Sequence, residues 1–177
     1  MRALDYLWLI PALPFLGAAV NGLVVRNRHK ALATAIGVGA PGLSLLVALA
    51  CLAEFLARPG FAPFEQLVYP WTAGALTIDI AFLLDPLSAV MLFVVTFVGF
   101  LIHVYSVGYM AHEPGYRRYF SYLNLFMGAM LLLVLGDNFL VMFVGWEGVG
   151  LCSYLLIGFY TQRNEAREAA KKAFVMN

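Results

Sequence analysis

The chain has 177 residues, of which 63% are hydrophobic and only 12% are charged, and its net charge is +1. A soluble domain is about 45–50% apolar and about 25% charged, so this composition excludes an ordinary soluble fold and indicates an integral membrane protein. A net charge so close to zero also argues against nucleic acid as a partner.

Five apolar runs are long enough to cross a bilayer whose hydrocarbon core is about 30 Å thick. They cover roughly residues 6–25, 31–56, 87–110, 119–135 and 139–160. The first run is not a cleaved signal, because its basic residues follow the apolar core instead of preceding it. In the second run, Pro41 predicts either a kink or an early end of the helix.

The segment between the second and third runs, residues 57–84, has a different character. It is rich in proline and glycine, and residues 77–80 alternate polar and apolar side chains, which is typical of a strand. A turn near residues 72–74 would pair this strand with residues 67–69. The sequence therefore predicts a small β-hairpin outside the membrane, lying on the helices.

The ends of several helices are marked by capping residues. Asp85 is a predicted N-cap, because a proline follows it at the first helical position. In the turn at residues 136–138, either Asp137 or Asn138 can cap the fifth helix, and the two acids of these turns need no role beyond capping.

The end of the chain predicts one further helix. Residues 164–172 favour a helix supported by a pair between Glu168 and Lys172, and residues 173–176 then turn apolar, as at the start of a sixth membrane helix. The chain is therefore expected to be a fragment of a longer protein. Its predicted parts are helices 1–2 (1–56), the external loop (57–84), helices 3–5 (85–160) and a cytoplasmic segment with the start of helix 6 (161–177).

Basic residues are distributed unevenly between the loops. Nine of the eleven lie after the first, third and fifth runs, and the other two are Arg2 and Arg58. Because cytoplasmic loops carry an excess of Lys and Arg, this asymmetry places the N-terminus outside.

Glu147 is the single charged residue within the fifth run. It lies about 12 Å along the helix, too deep for its short side chain to reach the surface. A carboxylate at this depth faces the bundle interior or a water-filled path and commonly marks an ion or proton route. We therefore expect Glu147 to be a buried, titrating carboxylate. Gly145 and Gly148 next to it should let other helices approach closely.

His103 is the other titratable side chain well inside a span, apart from tyrosines. It is a possible proton relay, although a lone histidine is more often a neutral packing residue, and both interpretations stay open. Tyr122 and Asn124 give a weaker signal for bound water. The two cysteines, Cys51 and Cys152, are expected to be small buried thiols, and no spacing of metal ligands or phosphate-binding loop is present.

Residues 145–159, with the sequence GWEGVGLCSYLLIGF, resemble the signature of the large antiporter-like subunit of respiratory complex I. That family is called chain 5, or subunit L, of the proton-pumping NADH–quinone oxidoreductase. Residues 84–88 and 99–106 are similar to the family's third helix, and residues 119–120 and 124–126 to its fourth. The resemblance extends over essentially the whole chain.

The apolar runs and the predicted strands give an all-α membrane fold with a small hairpin. The resemblance implies in addition a role for Glu147 as a proton-channel residue that pairs with a lysine on a later helix. The implied partners are other membrane subunits, the lipid bilayer and protons, in a bacterial inner or plasma membrane. NADH, FMN, iron–sulfur clusters and quinone are expected on other subunits, and this chain is expected to hold no cofactor or metal.

Two other classes remain open. One is a subunit of a multi-subunit cation/proton antiporter, which shares this ancestry. The other is a scaffold that transports nothing and holds neighbouring helices in place.

Overall fold

The computed structural model describes residues 2–26, 28–74 and 76–177. The described residues form a helical bundle with one two-stranded sheet. In chain order the elements are α1 (Leu9–Ala19), α2 (Lys30–Leu56), β1 (Phe64–Ala73), β2 (Leu76–Leu84), α3 (Pro86–Tyr109), α4 (Tyr116–Leu135), α5 (Phe139–Ile157) and α6 (Asn164–Met176).

Five helical segments of the described chain are long and apolar enough to cross a membrane. They are Ala3–Val24, Lys30–Leu56, Pro86–Tyr109, Tyr116–Leu135 and Phe139–Ile157. The five predicted spans are thus confirmed, with ends that differ by a few residues. α6 forms as well, so the helix predicted near the end of the chain is present.

The first span combines three helical geometries. A short 3₁₀ turn, Ala3–Tyr6, leads into α1, and a π-helical turn, Val20–Val24, follows it. The Asp5 carboxylate accepts a hydrogen bond from the backbone N–H of Arg2 at 3.3 Å, but the opening turn has no side-chain cap on its next two N–H groups from within the turn. Glu54, near the end of α2, accepts hydrogen bonds from the backbone N–H groups of Ala3 and Leu4 instead. A carboxylate from another helix therefore satisfies donors that a helix start leaves unpaired.

α2 continues through Pro41 without interruption to Leu56. Of the two alternatives expected at this proline, a kink or an early end, the early end is wrong. Pro41 is buried, and in the next turn Ser44 donates a hydrogen bond from its hydroxyl to the carbonyl of Ile10 at 2.7 Å. Membrane helices tolerate proline where neighbouring helices hold the segment in place.

α4 lies at the centre of the bundle and packs against α1, α2, α3 and α5, while α6 runs along α5. One core cluster lies at the hairpin end and includes Phe55, Phe82 and Leu131, and a second at the other end includes Phe120 and Phe159. Cys51 and Cys152 are buried free thiols, as expected.

The hairpin is longer than predicted. β1 and β2 pair antiparallel from Phe64 opposite Leu84 to Ala73 opposite Leu76, with a bulge between Leu67 and Tyr69. At its base, Phe82 and Leu84 are buried in the core, whereas toward the tip Trp71 is 48% exposed. The hairpin also rests on the α4–α5 turn, where the Asn138 side-chain amide donates to the carbonyl of Asp79 at 2.6 Å.

The predicted caps are formed, and one predicted side-chain pair in α6 differs. Asp85 and Ser88 form a reciprocal capping box at the start of α3. At α5 the cap is Asn138, whose side-chain oxygen accepts from two backbone N–H groups at 3.1 Å. In α6, Glu168 pairs with Lys171 at 2.9 Å and not with the expected Lys172. Residues three and four apart are both neighbours on a helix surface, so the sequence did not distinguish the two lysines.

Candidate functional site

Glu147 lies on the exposed face of α5. The buried residues of this helix include Val141, Gly145 and Cys152. Two residues along a helix correspond to a rotation of about 200°, so Glu147 points nearly opposite to Gly145. The expectation that Glu147 is buried is therefore wrong for the described chain, although its depth along the helix is as predicted.

Close contact between α4 and α5 fixes this orientation. A Cβ atom placed on Gly145 would lie 2.5 Å from the backbone nitrogen of Leu133, and one on Gly148 would lie 2.9 Å from the Cβ of Ala129. Only glycine at these positions lets the two helices approach so closely. The predicted packing role of these glycines is confirmed, and its consequence is that the carboxylate faces away from α4.

The carboxylate of Glu147 lines an open groove of about 450 Å³. The other residues of the groove are mainly apolar: Leu133, Phe139, Met142, Phe143, Trp146 and Asn177. Asn177 is held there because its carbonyl accepts a hydrogen bond from the Trp146 indole at 3.1 Å. None of the lining residues is basic, so the groove supplies no counter-charge for Glu147.

The exposed side of α5 around Glu147 is otherwise apolar. Its exposed residues one to two turns away include Phe143, Val144, Leu151 and Tyr154. A single carboxylate in the middle of such a face would be costly against lipid, because the charged form needs a polar or cationic partner there.

His103 is buried, with 1% of its surface exposed. Its Nδ1 lies 2.7 Å from the carbonyl oxygen of Gly99. A carbonyl only accepts hydrogen bonds, so Nδ1 carries the proton and Nε2 of the neutral ring is left as an acceptor. Among the described residues Nε2 has no hydrogen-bond partner, and the ring borders a small cavity of about 80 Å³ with Met127 and Phe126.

The structure does not bring His103 and Glu147 together. The residues that line the cavity beside His103 come from α3 and α4, and none of them lines the groove beside Glu147. The two predicted titratable residues therefore belong to separate places in the bundle.

Two buried asparagines are more important for the bundle than the sequence indicated. The side-chain amide of Asn124 donates at 2.9 Å to the carbonyl of Gly37, which ties α4 to α2. Asn21, in the π-helical turn, donates at 3.1 Å to the carbonyl of Ala33. The side-chain oxygen of each lacks a partner within the described chain. An asparagine inside an apolar run is the sequence signal for such a buried hydrogen bond. Asn124 was considered on this ground, and Asn21 was not.

Two family models match this chain. Residues 71–120 match the model described as NADH-ubiquinone oxidoreductase (complex I), chain 5 N-terminus. Residues 136–177 match the model described as NADH:quinone oxidoreductase/Mrp antiporter, TM. Together these two regions cover more than half of the chain.

Curated proteins are similar to the chain along almost its full length. NADH-quinone oxidoreductase subunit L of Mycobacterium tuberculosis is 48% identical over 174 residues, which cover 97% of this chain and 27% of that protein. The subunit of the same name from Escherichia coli K12 is 44% identical over 98% of this chain and 28% of its own length. The chain thus spans about a quarter of the length of the relatives it matches.

A solved structure supports the fold. A chain of the membrane-bound sulfane sulfur reductase, an archaeal respiratory membrane complex, superimposes with a TM-score of 0.71 and 20% sequence identity, over 94% of this chain and 24% of that chain. At this identity the likeness concerns the fold alone.

Proposed function

Because this chain belongs to the family of antiporter-like chain 5 (subunit L) membrane proteins of NADH–quinone oxidoreductase, we propose that it forms the N-terminal part of a subunit that moves protons across the membrane. The observation that carries the proposal is the carboxylate of Glu147 at membrane depth, alone on an apolar helix face. We expect the oxidation of NADH by quinone, with its FMN and iron–sulfur clusters, to take place on other subunits of the complex.

The chemistry of Glu147 follows from its surroundings. An apolar environment disfavours the ionised form of a carboxylate, and a nearby cation favours it. A partner segment that brings a cation to this face and withdraws it would therefore make the carboxylate release and take up a proton in turn. The rigid α4–α5 contact at Gly145 holds Glu147 in a fixed position for that exchange.

His103 is a second candidate for proton transfer. Its neutral ring keeps the Nε2 lone pair free, so it can accept a proton if water enters the adjoining cavity. Because His103 and Glu147 line different cavities, we assign them to different sections of the proposed route. A packing role remains the simpler alternative, and a His103 variant distinguishes the two.

Substitution of Glu147 tests the proposal in the full-length subunit within its complex. Glu147→Gln keeps the size and much of the hydrogen bonding but cannot ionise, Glu147→Ala also removes the polar group, and Glu147→Asp shortens the acid. NADH-driven proton uptake into inverted membrane vesicles should fall strongly for Gln and Ala and partly for Asp, at equal content of assembled complex. Wild-type uptake with Glu147→Gln would show that the carboxylate has only a structural role.

The alternative function is a subunit of a multi-subunit cation/proton antiporter. The family model over residues 136–177 covers both classes, whereas the model over residues 71–120 and the names of the similar proteins above favour the oxidoreductase. Proton movement driven by a sodium gradient without NADH would support the antiporter instead.

The membrane orientation is the one in which the basic loops are cytoplasmic and the N-terminus is outside, in the plasma membrane of a bacterium. Arg28 is exposed in the loop after the first span, so Arg28→Cys gives a direct test. An impermeant thiol reagent should label it only when the cytoplasmic face is accessible. Labelling from outside would reverse the orientation.

The hairpin is the proposed contact with a neighbouring membrane subunit. An isolated hairpin is marginally stable in water, and this one carries exposed Leu67, Tyr69 and Trp71 toward its tip. Charged substitution of Trp71 should reduce assembly of the complex, measured on native gels, and full assembly would exclude the hairpin as a contact.

A further inference from the structure

A cavity of about 440 Å³ lies at the end of the bundle opposite the hairpin. It is enclosed by the beginning of α4, the end of α5 and the middle of α6. Its lining residues include Arg118, Tyr122, Tyr154, Phe159, Arg167 and Lys171. This cavity shares no residue with the groove at Glu147 or with the small cavity at His103.

The polar side of the cavity is positively charged. Three of its lining residues are basic and none is acidic. Arg118 is held in place, because its guanidinium donates to the carbonyl of Phe159 at 3.1 Å and lies 4.7 Å from the centre of the Phe159 ring. Such anchoring fixes one cation before any ligand arrives and lowers the entropy cost of binding an anion.

Glu168 does not neutralise this charge. It pairs with Lys171 at 2.9 Å, but the two side chains are 71% and 61% exposed. An exposed pair of this kind contributes little, so Lys171 can turn to an anion inside the cavity at small cost. Arg167, on the same helix, adds another exposed cation at the rim.

The remaining wall of the cavity is apolar or aromatic and includes Leu155, Phe159 and Ala170. Tyr122 and Tyr154 also line the cavity. Tyrosines with one apolar and one wet side are typical of the membrane–water interface. A ligand with an anionic group at one end and hydrocarbon at the other would contact both the basic and the apolar lining residues. A small soluble anion would contact only the basic ones.

We propose that this cavity binds the headgroup phosphate of an anionic phospholipid, with the start of its acyl chains against the apolar wall. Basic pockets between membrane helices at the cytoplasmic surface are suited to such headgroups. The bound lipid would bridge α4, α5 and α6 at the place where α6 joins the bundle. The site is independent of any proton transfer by Glu147.

A quenching measurement on the full-length subunit in its detergent-solubilised complex tests the proposal. Thr161 lines the cavity and is exposed, so Thr161→Cys accepts a small thiol-reactive fluorophore, while Cys51 and Cys152 in the described chain are buried. The same labelling without Thr161→Cys gives the background from all other thiols of the complex. The labelled complex is titrated with phosphatidylglycerol or phosphatidylcholine that carries a nitroxide near the top of one acyl chain. Phosphatidylglycerol should quench the fluorophore at a much lower mole fraction than phosphatidylcholine.

Two double variants, each lacking two basic residues, show whether the basic residues of the cavity bind the lipid. Arg167→Gln with Lys171→Gln should raise the half-quenching mole fraction of phosphatidylglycerol about 30-fold, since each basic residue near an anionic headgroup contributes about a fivefold factor. Arg26→Gln with Arg28→Gln removes the same charge at the same end of the bundle but outside the cavity, and should leave the titration nearly unchanged. Assembly of both variants is checked on native gels.

Three results would overturn the proposal. One is equal quenching by the two lipids, and another is an equal shift in both paired variants, which would indicate general surface charge. The third is displacement of the lipid by inorganic phosphate alone, which would identify a soluble anion as the ligand.

Discussion

Gly145→Ala should separate α5 from α4 and lower the stability of the subunit. The added Cβ would lie 2.5 Å from the backbone nitrogen of Leu133 and 2.7 Å from its Cα. Ordinary contact begins at 3.4 Å, so the helices must move apart by about 0.9 Å, the difference between 3.4 and 2.5 Å. The atoms in the way belong to the backbone, and no side-chain rotation relieves the clash.

The size of the effect follows from two opposing terms. Overpacking of a well-packed interface costs about 1–3 kcal/mol. Alanine in place of glycine within a helix stabilises the folded state by about 0.5–1 kcal/mol. The net loss of stability for Gly145→Ala should therefore lie between about 0 and 2.5 kcal/mol, and near 1 kcal/mol for the middle of both ranges. Gly39→Ala is the matched control, because nothing lies within 4 Å of a Cβ at that helical position and only the favourable term applies.

Thermal stability of the solubilised complex measures the difference between the two variants. The amount of assembled complex that survives heating is followed by gel filtration. The midpoint of Gly39→Ala should equal or exceed that of the wild type, and the midpoint of Gly145→Ala should fall by several degrees. Equal midpoints for the two glycine variants would refute the close α4–α5 contact that orients Glu147.

Three further predictions concern substitutions at the helix caps and at His103. The backbone N–H of Ser88 holds the pKa of Asp85 below its usual value of 3.8. Asp85→Ala should therefore lower the free energy of unfolding by about 0.5–2 kcal/mol at neutral pH. Heat stability measured against pH should show this difference from the wild type disappearing as the pH falls below 3.8. Asn138→Ala removes the α5 cap and its bond to the hairpin and should lower the thermal midpoint, whereas Asp137→Ala should have less effect. His103→Gln should slow NADH-driven proton uptake if the ring relays protons, and unchanged uptake would assign it to packing.

The sequence was informative where local chemistry decides the structure. The five spans follow from long apolar runs, and the start of α3 follows from Asp85 before a proline. The half of the hairpin nearest its tip also followed from alternation in residues 77–80. These features depend on neighbours in the chain and require no knowledge of which helix packs on which.

Features set by packing between helices were not predictable in this way. α5 is apolar on nearly every side, so its sequence gives no sign that Gly145 faces α4 and Glu147 faces outward. The continuation of α2 through Pro41 depends on contacts from α1, and the burial of Asn21 depends on a carbonyl of α2. The same limit explains why depth alone suggested that Glu147 is buried.

The number of protons moved per NADH oxidised is the measurement that tests the role of Glu147 most directly. It is compared in vesicles for the wild type, Glu147→Gln and Glu65→Gln, which removes an exposed carboxylate from the hairpin outside the predicted spans. The ratio should fall with Glu147→Gln and stay at the wild-type value with Glu65→Gln. An unchanged ratio with Glu147→Gln would contradict a proton-transfer role for this residue.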